Sequence, residues 1–347
     1  MSLKGNILAA AQLVGMSTLA RAATAKQLRI LCYHGLWVTP GHEYGECTFI
    51  SPEQFEQRMA RLKRSGLPVL PLGEAVDRLA DGTLPKAAVA ITIDDGWVST
   101  FTHMLPVLER YELPATLYAT TWYSGKDLPV VNVAGDYLVA AAGRLDIDGG
   151  AVTRGIEALP VGQRLDALRR FGAELGVDEA WLELRQFHMM SPAELSEAHR
   201  RGLDVQLHTH RHINVERQVD SLPTEIAENR KFLEAALGDV PLTHFCYPSG
   251  TFHPDAPSLL AAQGVRSATL VDAGLNAPGT DAYRLRRLLD GRNVTDTLFD
   301  AYLSGLLHFV SPLGRLARGR TGAARNGRAI PYPRNTRGHV PELVAAE

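Results

Sequence analysis

Two groups of polar residues in this chain have the composition of a metal-dependent hydrolytic centre. Asp94 and Asp95 stand next to each other directly after an apolar run over residues 87–93. His208 and His212 are four residues apart, so a helical turn between them would bring both imidazoles onto one face. Two neutral imidazoles and one carboxylate, with a fourth position left for water, form the ligand set of a catalytic zinc ion. The second carboxylate would then be free to act as a general base.

Each group also has an ordinary structural explanation. An aspartate after a strand often caps a helix or forms an Asx turn, and an isolated histidine is usually a hydrogen-bonded polar residue. Three histidines within residues 208–212 favour a metal site over that explanation. The sequence therefore predicts a site for one divalent metal ion, and zinc suits these ligands best.

Both groups follow predicted strands, so the fold must bring the ends of those strands together. Strands are predicted over residues 28–33, 87–93, 115–120 and 203–207, and helices over 52–65, 73–79, 102–111 and 191–202. The nearly all-apolar run at 87–93 is typical of a parallel strand covered by helices on both faces. The alternation predicts a barrel-like or doubly wound α/β domain from about residue 28 to about 300. Active sites in such domains lie at the carboxyl ends of the strands.

Three segments depart from this alternation. Residues 1–27 are predicted to form an N-terminal helix, with a signal peptide as the alternative. The helix would place four residues on one side, namely Ile7, Ala11, Val14 and Leu19. Residues 126–188 are interpreted as a helical insertion in a domain that spans 28–310, with one helix over 161–175. Residues 311–347 contain seven arginines and two glutamates and are predicted to form a flexible basic tail.

The composition excludes several classes of protein. Thirty-six basic and 38 acidic residues leave a formal charge of −2, which gives no indication of nucleic-acid binding. The cysteines, Cys32, Cys47 and Cys246, lack C-x-x-C spacing, which excludes a disulfide scaffold and a thiolate zinc finger, and they are interpreted as buried and neutral. The N-terminal apolar run is shorter than the roughly 20 residues that span a bilayer. We expect a cytoplasmic protein, with peripheral membrane contact through the N-terminal helix or the basic tail as a further expectation.

Four short motifs resemble those of the polysaccharide deacetylases, the NodB-homology domains of carbohydrate esterase family four. Residues 92–96, T-I-D-D-G, resemble the T-F-D-D-G motif of that family, and residues 208–212 match its H-[ST]-x-x-H motif. Residues 245–250, F-C-Y-P-S-G, are similar to a form of its third motif, and Tyr33-His34 resembles a Y-H dipeptide of bacterial members. The resemblance covers about residues 28–295 outside the insertion.

This resemblance implies a distorted (β/α) barrel with a helical insertion, which hydrolyses the N-acetyl group of an amino sugar. By the same resemblance Asp94 is the catalytic base, and Asp95, His208 and His212 bind the metal. A backbone N–H of the turn from Tyr247 to Ser249 would stabilise the oxyanion.

The chain departs from the family pattern at several positions. Cys246 stands where many members have an arginine that contacts the base, and Ser249 stands where they have tyrosine. We expect Arg286 or Arg287 to orient Asp94 instead.

The family's L-x-H motif, which supplies the general acid, is present as residues 306–308. Residues 297–309 are predicted to be helical, whereas the family carries this histidine on a strand, so we interpret the match at His308 as accidental. His210 and His253 are the alternative acids, and a water molecule or the protonated base is another source of the proton.

Two further residues have both a functional and a structural interpretation. His34 follows the first strand and either lines the site or stabilises the turn. Trp97 either stacks on a sugar ring or covers the mouth of the barrel.

Three functions are consistent with these residues. The first is an N-deacetylase that acts on an amino-sugar glycan or a precursor in exopolysaccharide or lipopolysaccharide metabolism. The second is a deformylase or amidase that acts on a lipid-linked amino sugar or a small amide. The third is an inactive carbohydrate-binding barrel in which the third motif and the fifth motif, L-x-H, are degraded. The complete set of Asp94, Asp95, His208 and His212 argues against it.

Overall fold

A closed barrel of seven parallel strands forms the centre of the molecule. The structure, a computed structural model, describes residues 8, 15–39, 48–144 and 146–309. The strands follow one another around the barrel in chain order, and β7 closes it by pairing with β1. They are β1 Arg29–Tyr33, β2 Val89–Asp95, β3 Thr116–Ala119, β4 Asp204–Leu207, β5 His244–Cys246, β6 Ser267–Ala273 and β7 Leu285–Leu289. The predicted α/β barrel is confirmed, and the doubly wound alternative is wrong.

The strands are buried on both faces because helices cover the outside of the barrel. Every residue of β1 is buried, and β2 is buried up to its last residue, Asp95. The helices are α1 Met16–Ala23, α2 Pro52–Arg64, α3 Leu72–Asp81, α4 Leu105–Tyr111, α5 Val131–Ala141, α6 Gly149–Glu157, α7 Val161–Glu174, α8 Ala180–Glu183, α9 Pro192–Arg200, α10 Leu222–Leu237, α11 Ala256–Ala262 and α12 Asp296–Ser304. Parallel pairing places the carboxyl ends of all seven strands at one end of the barrel.

Two predicted helices differ from the observed ones in their bounds. A π-helical turn, Thr100–Met104, precedes α4 where an α-helix is predicted from residue 102. The helix predicted over 297–309 is interrupted, because Gly305 follows Ser304 in the left-handed conformation with φ 75°, and residues 307–309 are helical again.

The segment interpreted as an insertion contains α5 to α8. Their apolar faces form a separate cluster with large aromatic side chains, among them Tyr137, Trp181 and Phe187. Trp37 and Trp97, which lie just beyond β1 and β2, belong to the same cluster. The four helices are thus packed directly against the loops at the carboxyl end of the barrel.

The N-terminal helix packs at the opposite end of the barrel. Ala20 of α1 and Leu8 are buried against Ala301 and Leu306. Leu19, predicted to lie on the packed side, is instead 72% exposed, because Ala20 takes the buried position.

Other expectations for the termini have no counterpart in the described residues. Ile7, Ala11, Val14 and the predicted tail over 311–347 lie outside them. Within the part of the chain that the structure describes, no helix is both long and apolar enough to cross a membrane. The cytoplasmic location and the domain boundaries stay predictions.

A capping box at the start of α9 provides a test of the local folding signals. Ser191 accepts a hydrogen bond from the backbone N–H of Glu194, whose carboxylate accepts one from the N–H of Ser191. We expect Ser191→Ala to lower the free energy of unfolding by about 1 kcal/mol, as measured by urea denaturation.

Ser221 offers a matched control for that measurement. It occupies the same position before α10, but its side chain makes no capping hydrogen bond. Ser221→Ala should change the stability by no more than about 0.5 kcal/mol. Equal effects of the two substitutions would show that the hydrogen bonds of the box contribute nothing.

Candidate active site

The two adjacent aspartates separate where β2 ends. Asp94 is 2% exposed and lies inside the barrel. Asp95 has φ 75° and Gly96 has φ 95°, so the chain turns sharply at these two residues. The turn leaves Asp94 among the side chains of the barrel interior and directs the Asp95 carboxylate toward the loop after β4.

His208 and His212 meet Asp95 from that loop. The Nε2 atom of His208 lies 3.3 Å from Asp95 Oδ1, and the Nε2 atom of His212 lies 3.5 Å from the same oxygen. The expected helical turn between the histidines is wrong: Thr209 and His212 have positive φ values of 64° and 57°. A left-handed loop, rather than helical spacing, brings the two imidazoles together.

Hydrogen bonds to neighbouring elements fix the orientation of His208. Its Nδ1 donates to the carbonyl of Cys246 at 2.8 Å, which leaves the Nε2 lone pair free to bind a metal. Its backbone N–H donates to Oδ1 of Asn229, a buried residue of α10. Asn229 in turn donates to the carbonyl of Ala119 and to Thr121. Sequence reasoning missed Asn229, for which the only signal is a polar residue on the apolar face of a helix.

Arg211 holds the other half of the same loop. Its backbone N–H donates to Glu225 at 2.7 Å, and its guanidinium pairs with Glu225 and Glu228. Both glutamates belong to α10, so this helix anchors the loop at two points. These contacts also escaped the sequence analysis.

The atoms of Asp95, His208 and His212 fit a divalent metal ion. One ligand atom from each residue lies within 4.8 Å of the other two. Trp97 donates from Nε1 to Asp95 Oδ2 at 2.8 Å, which leaves Oδ1 facing the imidazoles. Burial raises the pKa of Asp95, but the neighbouring imidazoles of His208 and His212 outweigh it and hold the pKa well below the usual value. Two nitrogen donors and one carboxylate oxygen suit zinc and leave a coordination position open.

Asp94 takes no part in that triad because it is paired with Arg287. The guanidinium of Arg287 reaches both carboxylate oxygens, at 2.6 Å and 2.7 Å. It also donates to the carbonyl of Leu270 and to Thr92, which fixes its plane. Burial raises the pKa of Asp94, but the positive charge of Arg287 dominates and lowers the pKa to about 2.

Of the two arginines expected to orient Asp94, Arg287 is therefore the one that does so. Arg286 is exposed on the outside of β7, and its side chain lies against Gly274.

Two thiols complete the surroundings of Asp94. Cys246 lies 3.4 Å and Cys32 lies 3.7 Å from Asp94 Oδ2, and both thiols are free and buried. Burial raises the pKa of each thiol well above its usual value, which agrees with their interpretation as neutral. The Arg287 guanidinium lies 3.1 Å from Cys246 Sγ, so a cation already occupies this part of the barrel. Of the groups that could hold a metal ion, the Asp95 triad is therefore the best candidate.

His34 borders the same carboxylate from the end of β1. Its Nε2 lies 3.8 Å from Asp94 Oδ2, and 15% of its side chain is exposed. Its Nδ1 is buried and has no hydrogen-bond partner among the described residues. This position places His34 in the site.

The turn from Tyr247 to Ser249 contributes less than expected. The N–H of Tyr247 donates to the carbonyl of Thr269, and Pro248 has no N–H. The Tyr247 side chain is buried against Phe245 and Phe252, outside the barrel interior. Ser249, with φ 52°, is exposed, and its N–H meets no acceptor in the described part of the chain. Ser249 is thus the residue of this turn that can donate to a substrate, and the expectation for Tyr247 is wrong.

Trp97 is also placed differently from the stacking interpretation. The indole is 5% exposed and packs edge-on against Phe49. It therefore covers the mouth of the barrel and holds Asp95, and it offers no surface to a sugar ring.

The three histidines considered as general acids lie in different places. His308 follows α12. The carbonyl of Leu303, in α12, accepts a hydrogen bond from Arg29, which lies at the amino end of β1. The L-x-H match thus lies at the opposite end of the barrel from the site. His210 lies in the metal-ligand loop with its Nδ1 on Thr121, and His253 lies beside Asp255 after the turn that contains Ser249.

The ion pair between Asp94 and Arg287 generates a quantitative prediction. Arg287→Met leaves a buried carboxylate unpaired, so we expect it to destabilise the protein by about 3–5 kcal/mol at pH 7 in urea denaturation. Loss of the cation raises the pKa of Asp94, and the protonated carboxyl is less costly to bury. The difference in the free energy of unfolding between Arg287→Met and the wild type should therefore become smaller as the pH falls from 7 to 4.

Arg286→Met, on the neighbouring exposed residue, is the matched control and should change stability by about 0.5 kcal/mol or less. A similar loss of stability in both variants would contradict the pairing of Asp94 with Arg287. So would a stability difference between Arg287→Met and the wild type that grows toward acid pH.

Comparisons with known proteins identify the family and the fold. Residues 81–268 match the family described as polysaccharide deacetylase. No curated protein sequence gives a significant match. A deacetylase of Streptococcus pyogenes, PplD in complex with acetate, is similar at 17% identity, with 81% of this chain and 99% of that chain covered and a TM-score of 0.57.

Two further solved structures are similar over most of their length. IcaB from Ammonifex degensii shares 24% identity, with 80% of this chain and 97% of that chain covered and a TM-score of 0.54. A de-N-acetylase from Aggregatibacter actinomycetemcomitans shares 16% identity, with 80% and 99% covered and a TM-score of 0.53. These identities establish a common fold. Because the family match spans more than half of the sequence, the chain belongs to the polysaccharide deacetylase family of enzymes.

Proposed function

We propose that this enzyme removes N-acetyl groups from an amino-sugar glycan or glycan precursor, and that it uses one divalent metal ion, zinc. Asp95, His208 and His212 would hold the ion. The observation that carries the proposal is the convergence of these three residues beside a second, separately held carboxylate, Asp94. A bound zinc ion would supply a water molecule with a pKa of about 7 and polarise the amide carbonyl of the substrate.

Asp94 would accept the proton of the attacking water. Its low pKa keeps it ionised at neutral pH, as a base must be. Arg287 grips both carboxylate oxygens and so fixes the direction of their lone pairs. Arg287 on β7 would thus orient the base, a role that Cys246 cannot fill. An intact orienting arginine is a reason to prefer an active enzyme over an inactive carbohydrate-binding barrel.

Ser249 would stabilise the negative charge that develops on the carbonyl oxygen. Its N–H is held by a turn that Pro248 and the left-handed Ser249 make rigid. A donor that is already oriented needs no reorganisation when the charge appears.

His34 would deliver a proton to the leaving amine. It is the histidine outside the metal triad that lies against Asp94, at 3.8 Å between His34 Nε2 and Asp94 Oδ2. A proton taken up by Asp94 can thus pass to His34 after a small movement of the side chain. His210 is less suited to this role because its Nδ1 is engaged by Thr121.

Asp94→Asn tests the role of the base. We expect acetate release from N-acetylated amino sugars to fall by about 10²–10⁴-fold, since general base catalysis contributes that much. The metal content should stay at the wild-type level because Asp94 is not a ligand. Asp255→Asn, at an exposed carboxylate, should leave activity unchanged. An Asp94→Asn variant that retains full activity would refute the assignment. Release of formate by the wild type from the matching N-formyl amino sugar, with no acetate from the N-acetyl sugar, would favour the deformylase alternative.

His34→Gln tests the route of the second proton. The turnover number should fall at least about tenfold while the metal content and KM change little, and added imidazole should restore part of the activity of His34→Ala. His253→Gln is the matched comparison, because the sequence analysis predicts His253 as one of the alternative general acids. Loss of activity in His253→Gln but not in His34→Gln would reverse the two assignments.

A further inference from the structure

The segment after β3 borders the metal-binding loop directly. Thr121 and Trp122 donate backbone hydrogen bonds to the carbonyl of His210 at 3.2 Å and 2.8 Å. Thr120 donates to the carbonyl of Asp95 at 3.0 Å. The segment therefore lies beside the end of β2 and beside the loop that carries His208 and His212.

Trp122 in this segment is flanked by two cations. The Nζ atom of Lys126 lies 3.8 Å from the centroid of the Trp122 ring system, and the guanidinium carbon of Arg164 lies 5.6 Å from it. Arg164 comes from α7, within the helices packed on the barrel mouth. We call Trp122, Lys126 and Arg164 the cationic wall.

Neither cation of the wall has a carboxylate partner. Lys126 donates to the carbonyl of Trp122, and Arg164 donates from Nε to the carbonyl of Leu159. Arg164 is 8% exposed, and its Nη1 is buried without a hydrogen-bond partner among the described residues. No described carboxylate oxygen lies within 4.0 Å of a side-chain nitrogen of either residue.

The charges around the wall do not neutralise it at close range. Burial lowers the pKa of Lys126, and so do the positive charges of Arg211 and Arg164. Arg211 is already paired with Glu225 and Glu228, and Glu157 attracts Arg164 only from beyond ion-pair distance. The two adjacent cations, Lys126 and Arg164, repel each other. A bound anion would reduce this repulsion and accept the hydrogen bond that Arg164 Nη1 does not make among the described residues.

We propose that the cationic wall is a subsite for an anionic group, a phosphate or a carboxylate, carried by the amino-sugar substrate. The inference rests on the proposed deacetylase function and narrows its substrate class. The substrate would be a sugar phosphate, as in a glycan precursor, or an amino sugar linked to a uronate. Lys126 and Arg164 would bind the anionic group while the acetamido group lies at the metal centre.

Binding of deacetylated sugars tests this proposal independently of turnover. The full metal-loaded chain is titrated calorimetrically with glucosamine 1-phosphate and with methyl glucosaminide, neither of which has an acyl group to hydrolyse. We expect the phosphate to bind about 10–100-fold more tightly, in line with one or two charge-assisted hydrogen bonds. A glucuronosyl-glucosamine disaccharide then distinguishes a carboxylate from a phosphate as the preferred anion.

Variants of the wall connect that preference to its residues. Lys126→Met and Arg164→Met, which lie on separate elements, should each reduce the preference by about tenfold or more. Arg170→Met removes an exposed cation from the same helix as Arg164 and should leave the preference unchanged. Circular dichroism verifies the fold of each variant, and either one that folds suffices for the test.

Three results would overturn the proposal. They are equal affinity for the charged and neutral sugars, a preference that survives both substitutions, and no measurable binding of either sugar. Failure to release acetate, by contrast, would refute the deacetylase assignment and leave the binding result standing.

Discussion

The bidentate ion pair between Asp94 and Arg287 is the interaction on which the barrel interior depends. A carboxylate with 2% exposure is costly to bury in its charged form unless a cation and hydrogen bonds accompany it. Arg287 meets that need from β7, which is separated from β2 by β1 alone, and is itself held by Leu270 and Thr92. The pair thus joins strands that are far apart in sequence, and it fixes a carboxylate that remains ionised at neutral pH.

The metal triad is built on a different physical device, a break in the backbone. Left-handed φ values at Asp95, Thr209 and His212 turn the loops after β2 and β4 toward each other. Such conformations are unfavourable for residues other than glycine and persist only where the surroundings hold them. Asn229, Arg211 and the packed helix α10 supply that support. The division into a paired carboxylate and a separate triad would let neighbouring aspartates serve two roles.

The sequence contained enough information to predict that Asp95, His208 and His212 come together, but not what surrounds them. These three residues are identifiable as candidate ligands because ligand type and motif order can be read without knowledge of the loop geometry. The sequence left open whether Arg286 or Arg287 orients Asp94. Each arginine has a leucine beside it, and the composition of the strand does not determine which of its faces points inward. Asn229 and the cationic wall escaped because each depends on a contact between residues more than 20 positions apart, His208 with Asn229 and Trp122 with Arg164, which no periodic pattern predicts. The helical turn expected between the histidines failed because spacing alone does not distinguish a helix from a left-handed loop.

We propose that Asp95, His208 and His212 hold a catalytic metal beside Asp94. This can be tested by the metal content of the purified chain, determined on the same sample as acetate release from N-acetylated amino sugars, with His208→Ala in parallel. We expect about one zinc or similar ion per chain, together with acetate release, and loss of both in His208→Ala. A chain that stays empty after incubation with zinc, cobalt and nickel, or one that releases acetate equally well without metal, would contradict it.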